Sequence, residues 1–164
     1  MPEITLILHN IRSTHNVGSI FRTAEGFGVK HIICSGYTPY PKQLKESRLP
    51  HIAHKLDSQI HKTALGAEQL VSFSHQAELD LDTIKQQGYS LFGLEQDQRS
   101  LPLNDHPKFN KIALLLGEEV KGIDHSLRDQ CDYLLEIPMY GQKESFNVSV
   151  ATGIALYSLS LDKH

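Results

Sequence analysis

Chemistry in this 164-residue chain is concentrated in three stretches that hold more polar side chains and glycines than their apolar surroundings call for. The first, HNIRSTHNVGSIFRTAEGFG, starts at His9 and carries Asn10, Arg12, Asn16 and Arg22. It follows an apolar run, so these side chains fall at the carboxyl end of a strand, where open α/β sheets bind ligands. A helix starting near Gly18 would put Arg22 one turn in, its guanidinium beside an anion gathered by the free N–H groups there. The plainer role of a lone helical arginine is a surface ion pair. In the second stretch, LLLGEEVKGID, Gly117 permits a sharp turn or a backbone approach to a ligand, and Glu118 and Glu119 set two carboxylates at the strand's end. Two neighbouring acids on a loop are more often simply solvated. The third, IPMYGQKESFNVSVATGIALY, ends a strand at Ile137-Pro138 and starts a helix near Ser145, with Asn147 and Ser149 in its first turn. The structural role open to Ser145 is the N-cap of that helix.

Positioning these groups falls to elements of alternating type. ITLIL (4–8) reads as a strand buried on both faces, apolar residues recur at helical spacing from Ser19 to Phe27, Gly28 is placed to end that helix, and HIICS (31–35) is a second strand. This βαβ opening predicts a parallel α/β sheet with helices on both sides. TPYPKQLKESRLPH (38–51), rich in proline and charge, reads as a long exposed loop. Beyond it come LVSF (70–73), a helix near 76–87, YSLFGLE (89–95), the buried run IALLLG (112–117), a helix that Asp124 could cap, YLLEIP (133–138) and the last helix. Residues 1–164 read as one domain, with no internal repeat or composition break that would mark a linker.

Composition sets outer limits. No apolar run approaches the 18 or more residues of a membrane span, and MPEITLILHN lacks the regions of a secretory signal, so the expectation is a soluble, cytoplasmic protein. Cys34 and Cys131 lie far apart without CxxC spacing, which suggests small core residues and no metal site. A net charge of −3 counts mildly against a partner held mainly by phosphate contacts. Charge is segregated, however: Lys42 to Lys62 is locally basic and Glu78 to Asp105 acidic. The first turn has neither GxGxxG nor GxxxxGK[ST], which argues against an ordinary doubly wound nucleotide-binding enzyme.

Taken in order, the three stretches resemble the three motifs of the SpoU (TrmH) family of RNA ribose methyltransferases, in the SPOUT group. NVGSIFRTAEGFG looks like the first motif, LLLGEEVKGID the second and IPMYGQKESFNVSVATGIALY the third, a likeness running from about Ile4 to Tyr157. It implies a parallel-sheet SPOUT fold whose carboxy-terminal part forms a deep trefoil knot, an exception to the rule that chains are unknotted. The knot would bind S-adenosyl-L-methionine, with Leu116, Gly117, Ile137, Met139 and Phe146 around it. Asn16 and Arg22 match the family's first-motif Asn and catalytic Arg, Glu119 the second-motif Glu, and Ser145 and Asn147 the third-motif Ser and Asn.

The activity so implied is methyl transfer to a ribose 2′-hydroxyl of tRNA or rRNA. Arg22 would contact the hydroxyl and a flanking phosphate, Asn16, Ser145 and Asn147 would orient the nucleotide, and Glu119 would hold Arg22 or Asn147. Glu118, Val120 and Phe146 depart from the residues usual at their places in the pattern. The resemblance also implies a homodimer, for which Ile20, Phe21 and Phe27 on the first helix and Val150, Ile154 and Tyr157 on the last offer apolar surface. RNA would cross both subunits, with Arg12, Lys42, Lys45 and Arg48 as backbone contacts. The competing reading is an RNA-binding or assembly protein that keeps the fold without transferring methyl groups; its mark would be loss of the matched Arg, Glu or Asn, and all are present.

Overall fold

Strands buried on both faces must be apolar throughout, and five such runs form the centre of the molecule. In the computed structural model, which describes residues 1–161, the order is β1 (Glu3–His9), α1 (Thr14–Gly26), β2 (His31–Ser35), α2 (Pro50–Ala64), β3 (Phe73–Gln76), α3 (Leu81–Gln86), β4 (Ser90–Leu94), β5 (Leu101–Pro102), β6 (Lys111–Leu116), α4 (His125–Gln130), β7 (Tyr133–Glu136) and α5 (Val148–Ser160). The seven strands make one sheet in the order β3-β2-β1-β6-β4-β7-β5, parallel at every pairing. Leu6 lies in register with Ile32 on one side and Leu114 on the other.

Alternation along the strands divides the core into two layers. Ile4, Leu6 and Leu8 pack with Val17, Ile20, Phe21 and Ala24 of α1 and with Ala155, Leu156 and Leu159 of α5. Ile7, Ile33, Leu91, Ala113 and Leu115 face the other way, onto Leu81 and Ile84 of α3, with Leu127 of α4 beside them. The expected three-layer α/β architecture is present. Cys34 is buried, as expected of a core residue, and burial pushes its thiol up to about 12. Among the described residues no helix is long and apolar enough to cross a membrane, and no three or more His, Cys, Asp or Glu are grouped as a metal would need.

Several boundaries differ from the sequence reading, each for a local reason. Helix α1 starts at Thr14, because the Ser13 hydroxyl accepts the Asn16 N–H at 3.2 Å and caps it four residues before Gly18. Arg22 is therefore roughly 12 Å along the axis from Thr14, in the third turn, and away from the free N–H groups. Gly18 instead serves packing: a Cβ there would lie 2.1 Å from the Thr63 hydroxyl and 2.3 Å from the Ile60 carbonyl, so its absence lets α2 seat on α1. That helix was not expected; Pro50 opens it and only Ala53, Ile60 and Ala64 are buried, too sparse a stripe to declare a period. The third strand is displaced from 70–73 to 73–76, and α3 shortens to the six residues that Asp80 caps. Helix α5 starts at Val148 with Asn147 as its cap, so Ser145 lies outside the helix and is not the N-cap.

Candidate active site

At the carboxyl end of β6 the chain must turn, and Gly117 sets how tightly. A Cβ at this position would sit 2.5 Å from both the Gly122 carbonyl carbon and the Ile123 nitrogen, so only glycine allows residues 117–123 to fold back on themselves. Two bonds close the loop: the Gly122 N–H donates to the Glu118 carbonyl at 2.8 Å and the Lys121 N–H to the Glu118 carboxylate at 2.9 Å. Glu118 thus caps its own turn. A residue the sequence reading passed over, Glu95 at the end of β4, accepts the Ile123 N–H at 2.8 Å and ties the loop to the sheet. Its signals in the sequence were its place as the last residue of YSLFGLE and its part in the acidic run from Glu78 to Asp105.

The loop presents Glu119 to the start of α1. Its carboxylate accepts the N–H groups of Arg12 at 3.3 Å and Ser13 at 3.4 Å and the side-chain amide of Asn16 at 3.4 Å. The Asn16 carbonyl oxygen accepts from the Asn147 amide at 3.2 Å, and the Asn147 oxygen in turn caps α5 by accepting the Ser149 N–H at 2.9 Å. Residues from all three polar stretches therefore meet in one chain of hydrogen bonds, Glu119 to Asn16 to Asn147. The partner of Glu119 is Asn16, not Arg22 or Asn147 as the sequence reading had it.

Beside this junction lies a cavity of about 460 Å³. Leu116, Gly117, Ile137, Met139 and Phe146 all line it, as do Glu119, Ser145 and Asn147. Ser145 is exposed, and its loop is anchored next door, where the Gln96 amide donates to the Glu144 carbonyl at 2.6 Å. Five glutamates (95, 118, 119, 136 and 144) line the cavity against one cation, Lys121. An anionic wall of this kind favours a ligand carrying positive charge and disfavours one carrying phosphates.

Arg22 stands apart. It is exposed, does not line the cavity and makes no hydrogen bond or ion pair among the described residues. Arg12, Lys42 and Lys45 also present exposed side chains. Arg48 does not: its guanidinium forks onto the Glu46 carboxylate with two bonds of 2.8 Å, donates to the Tyr40 and Pro41 carbonyls at 2.9 and 3.1 Å, and lies 3.6 Å over the Tyr40 ring. The same fork holds Glu46 down at about 2. Arg48 secures the loop after β2 and has little left for a phosphate. On α1, Ile20 and Phe21 are fully buried in the core, whereas Val150 and Tyr157 of α5 remain 50% and 59% exposed.

A wholly parallel sheet whose strands run into glycine-bearing loops around one cavity defines an α/β protein with its ligand site at the strand ends. Residues 3–157 match the model of the SpoU rRNA Methylase family, and the chain belongs to that family. It is 31% identical over 160 residues to the 23S rRNA (guanosine-2′-O-)-methyltransferase RlmB of Coxiella burnetii, covering 96% of this chain and 58% of that protein. It superposes on the AdoMet-bound rRNA methyltransferase of Sinorhizobium meliloti with a TM-score of 0.76 at 24% identity, over 96% of this chain and 55% of the other. A structure described as giving insight into 2-OH methylation of C/U34 on tRNA has a TM-score of 0.70 at 21% identity and matches over 96% and 94% of the two chains. The chain spans between 55% and 59% of the length of the first three curated relatives it matches.

Proposed function

We propose that this chain is an S-adenosylmethionine-dependent methyltransferase acting on a ribose 2′-hydroxyl of RNA. The observation that carries the reading is the coincidence of two sets: the five residues assigned to the cofactor line one cavity, and Glu119, Asn16 and Asn147 join in a hydrogen-bonded junction at its edge. The cavity fits the cofactor chemically. Its volume lies in the range of small-molecule sites, Leu116, Ile137 and Phe146 offer apolar surface to an adenine, and the glutamates suit a sulfonium and an ammonium.

Bound there, the cofactor supplies a methyl group on a positively charged sulfur, open to in-line displacement. The chain's own work is to hold the ribose oxygen opposite that group and to stabilise the charge that builds on it as the hydroxyl proton passes to solvent water. Asn16 and Asn147 orient the ribose, Glu119 fixes Asn16 and the entry to α1, and the exposed Ser145 hydroxyl adds a contact at the rim. Arg22, which stands apart from the cavity of its own chain, acts across the interface of the proposed dimer as a fixed cation beside the developing alkoxide and an adjacent phosphate, since a guanidinium does not give up its proton. We further propose a homodimer through the exposed apolar face of α5, RNA contacts at Arg12, Lys42 and Lys45, and a cytoplasmic setting. The threading of the carboxy-terminal segment into a trefoil knot belongs to the same proposal.

The test is transfer from tritiated S-adenosylmethionine to separate tRNA and rRNA pools by the wild type and by Arg22→Ala. Label on a 2′-oxygen that the substitution abolishes is the expected result. Cofactor binding without transfer to either pool would favour the non-catalytic reading instead.

A further inference from the structure

We infer that a second cavity, of about 610 Å³, holds an unpaired nucleotide of the RNA next to the one whose ribose is methylated; this rests on the methyltransferase reading and names where its substrate is gripped. The two cavities share a wall. Glu119 lines the first, and the backbone N–H groups it accepts belong to Arg12 and Ser13, which line the second. A phosphate at Arg12 would thus lie between a ribose on one side of that wall and a neighbouring base on the other.

Charge separates the two cavities in character. No carboxylate lines the second, whereas five line the first. The second is therefore suited to a phosphate-bearing ligand and the first to a cationic one. Its other groups match a base. Tyr37 is 54% exposed and sits on a turn that cannot easily move: its N–H donates to the Asn10 side chain at 3.1 Å, and the Thr38 hydroxyl bridges the Leu8 carbonyl at 2.8 Å and the Ile11 N–H at 3.0 Å. Gly36, at a positive φ of 63°, allows this turn because a Cβ would lie 1.9 Å from the Asn10 oxygen. An aromatic held open on a rigid turn stacks a base with little ordering cost.

Lining the same cavity, the side-chain amide of Gln59 makes no hydrogen bond among the described residues, nor does the Arg12 guanidinium. An amide offers both donor and acceptor to the edge of a base. Tyr40 is not available as a second platform. Arg48 lies 3.6 Å from its ring centre and His75 stacks at 4.3 Å, and two groups so close must occupy opposite faces. Tyr40 is a wall and Tyr37 the stacking surface. A paired base has both faces stacked and its edge engaged, so the ligand is a single-stranded or extruded nucleotide.

The experiment compares Tyr37→Ala, Tyr37→Phe and Gln59→Leu with the wild type in methyl transfer to tRNA and rRNA and in filter retention of the same labelled RNAs, with cofactor affinity measured by calorimetry. Tyr37→Ala should raise KM and the RNA Kd about ten-fold or more, from the loss of one stacked base, while cofactor affinity stays unchanged. Tyr37→Phe should behave as wild type, and Gln59→Leu should weaken RNA retention several-fold. Variants indistinguishable from an active wild type would overturn the inference and leave the methyltransferase reading standing. A wild type that binds the cofactor but retains no RNA would overturn both.

Discussion

Replacing Gly117 with alanine tests the claim that the loop after β6 is shaped by the absence of a side chain. The added Cβ would meet backbone atoms at 2.5, 2.5 and 2.7 Å, where ordinary contact begins near 3.4 Å, so residues 122 and 123 must retreat by roughly 1 Å. No flexible side chain lies in the way to absorb the shift. The Ile123 N–H to Glu95 bond, now 2.8 Å, and the Gly122 N–H to Glu118 bond, also 2.8 Å, both stretch beyond useful range. Losing one bond to a charged acceptor and one to a neutral one costs about 2–4 kcal/mol. For a domain of this size that lowers Tm by roughly 6–12 °C. The displaced loop also walls the cavity, so calorimetric affinity for S-adenosylmethionine should fall by at least ten-fold, and more than for a matched substitution at exposed Gly141. A Gly117→Ala protein with wild-type Tm and wild-type cofactor affinity would refute the account of the loop.

Three further outcomes follow from the same contacts. Glu119→Ala removes the acceptor for two backbone N–H groups and Asn16, so transfer should fall more than ten-fold while Glu119→Gln, which keeps one acceptor oxygen, retains measurable turnover; equal loss in both would point to charge alone. Lys42→Glu with Lys45→Glu should weaken RNA binding and flatten its salt slope by about 1.4, the value for two lost contacts to a single strand, and an unchanged slope removes the pair from the interface. Arg48 holds the Glu46 carboxyl at about 2, well below its ordinary range, so this pair contributes stability above the ordinary carboxylate pKa and loses it as pH falls towards about 2. Amide exchange of residues 42–48 should accordingly stay slow down to about pH 4 and quicken below it; an Arg48→Lys protein with the same profile would show that the fork is not responsible.

The sheet was legible because parallel strands buried on both faces leave unbroken apolar runs: ITLIL, HIICS and IALLLG mark β1, β2 and β6 closely. Helix α2 was not, because its packing depends on a hole rather than a stripe. What α2 needs is Gly18 on another element, 42 residues before the Ile60 it meets, and no pattern within 50–64 announces that. The motif resemblance brought Leu116, Gly117, Ile137, Met139 and Phe146 to one cavity, since motif order fixes which loops meet, but not the strand-end wall of Glu95 and Glu136 beside them. The wiring inside the site did not. Glu119 pairs with Asn16 because α1 begins at Thr14, and the cap that starts it there, Ser13, competes with a glycine and a serine farther along for the same role. The misjudged start also sent Arg22 to the wrong turn of the helix. Arg48 read as an exposed base in a charged loop, and only the fold brings Glu46 and Tyr40 around it.

The position of Arg22 carries one consequence for the proposed dimer. Asn16 points into the junction, and six residues on, Arg22 is about 9 Å along α1 and some 240° around it. A side chain leaving the helix in that direction does not turn back to Asn16 and Glu119 of its own chain; in a symmetric dimer it can enter the site of the other copy. Mixing two inactive proteins separates the cases. With Arg22 acting across the interface, a dimer of one Arg22→Ala and one Glu119→Ala subunit has one site with both groups intact and one with neither. Random pairing in equal amounts then restores about a quarter of wild-type sites. With Arg22 acting within its own chain, every site in the mixed dimer lacks one group, and activity stays at the level of the two parents. Restoration would also establish that the functional unit is two chains, since neither variant contains a complete site alone.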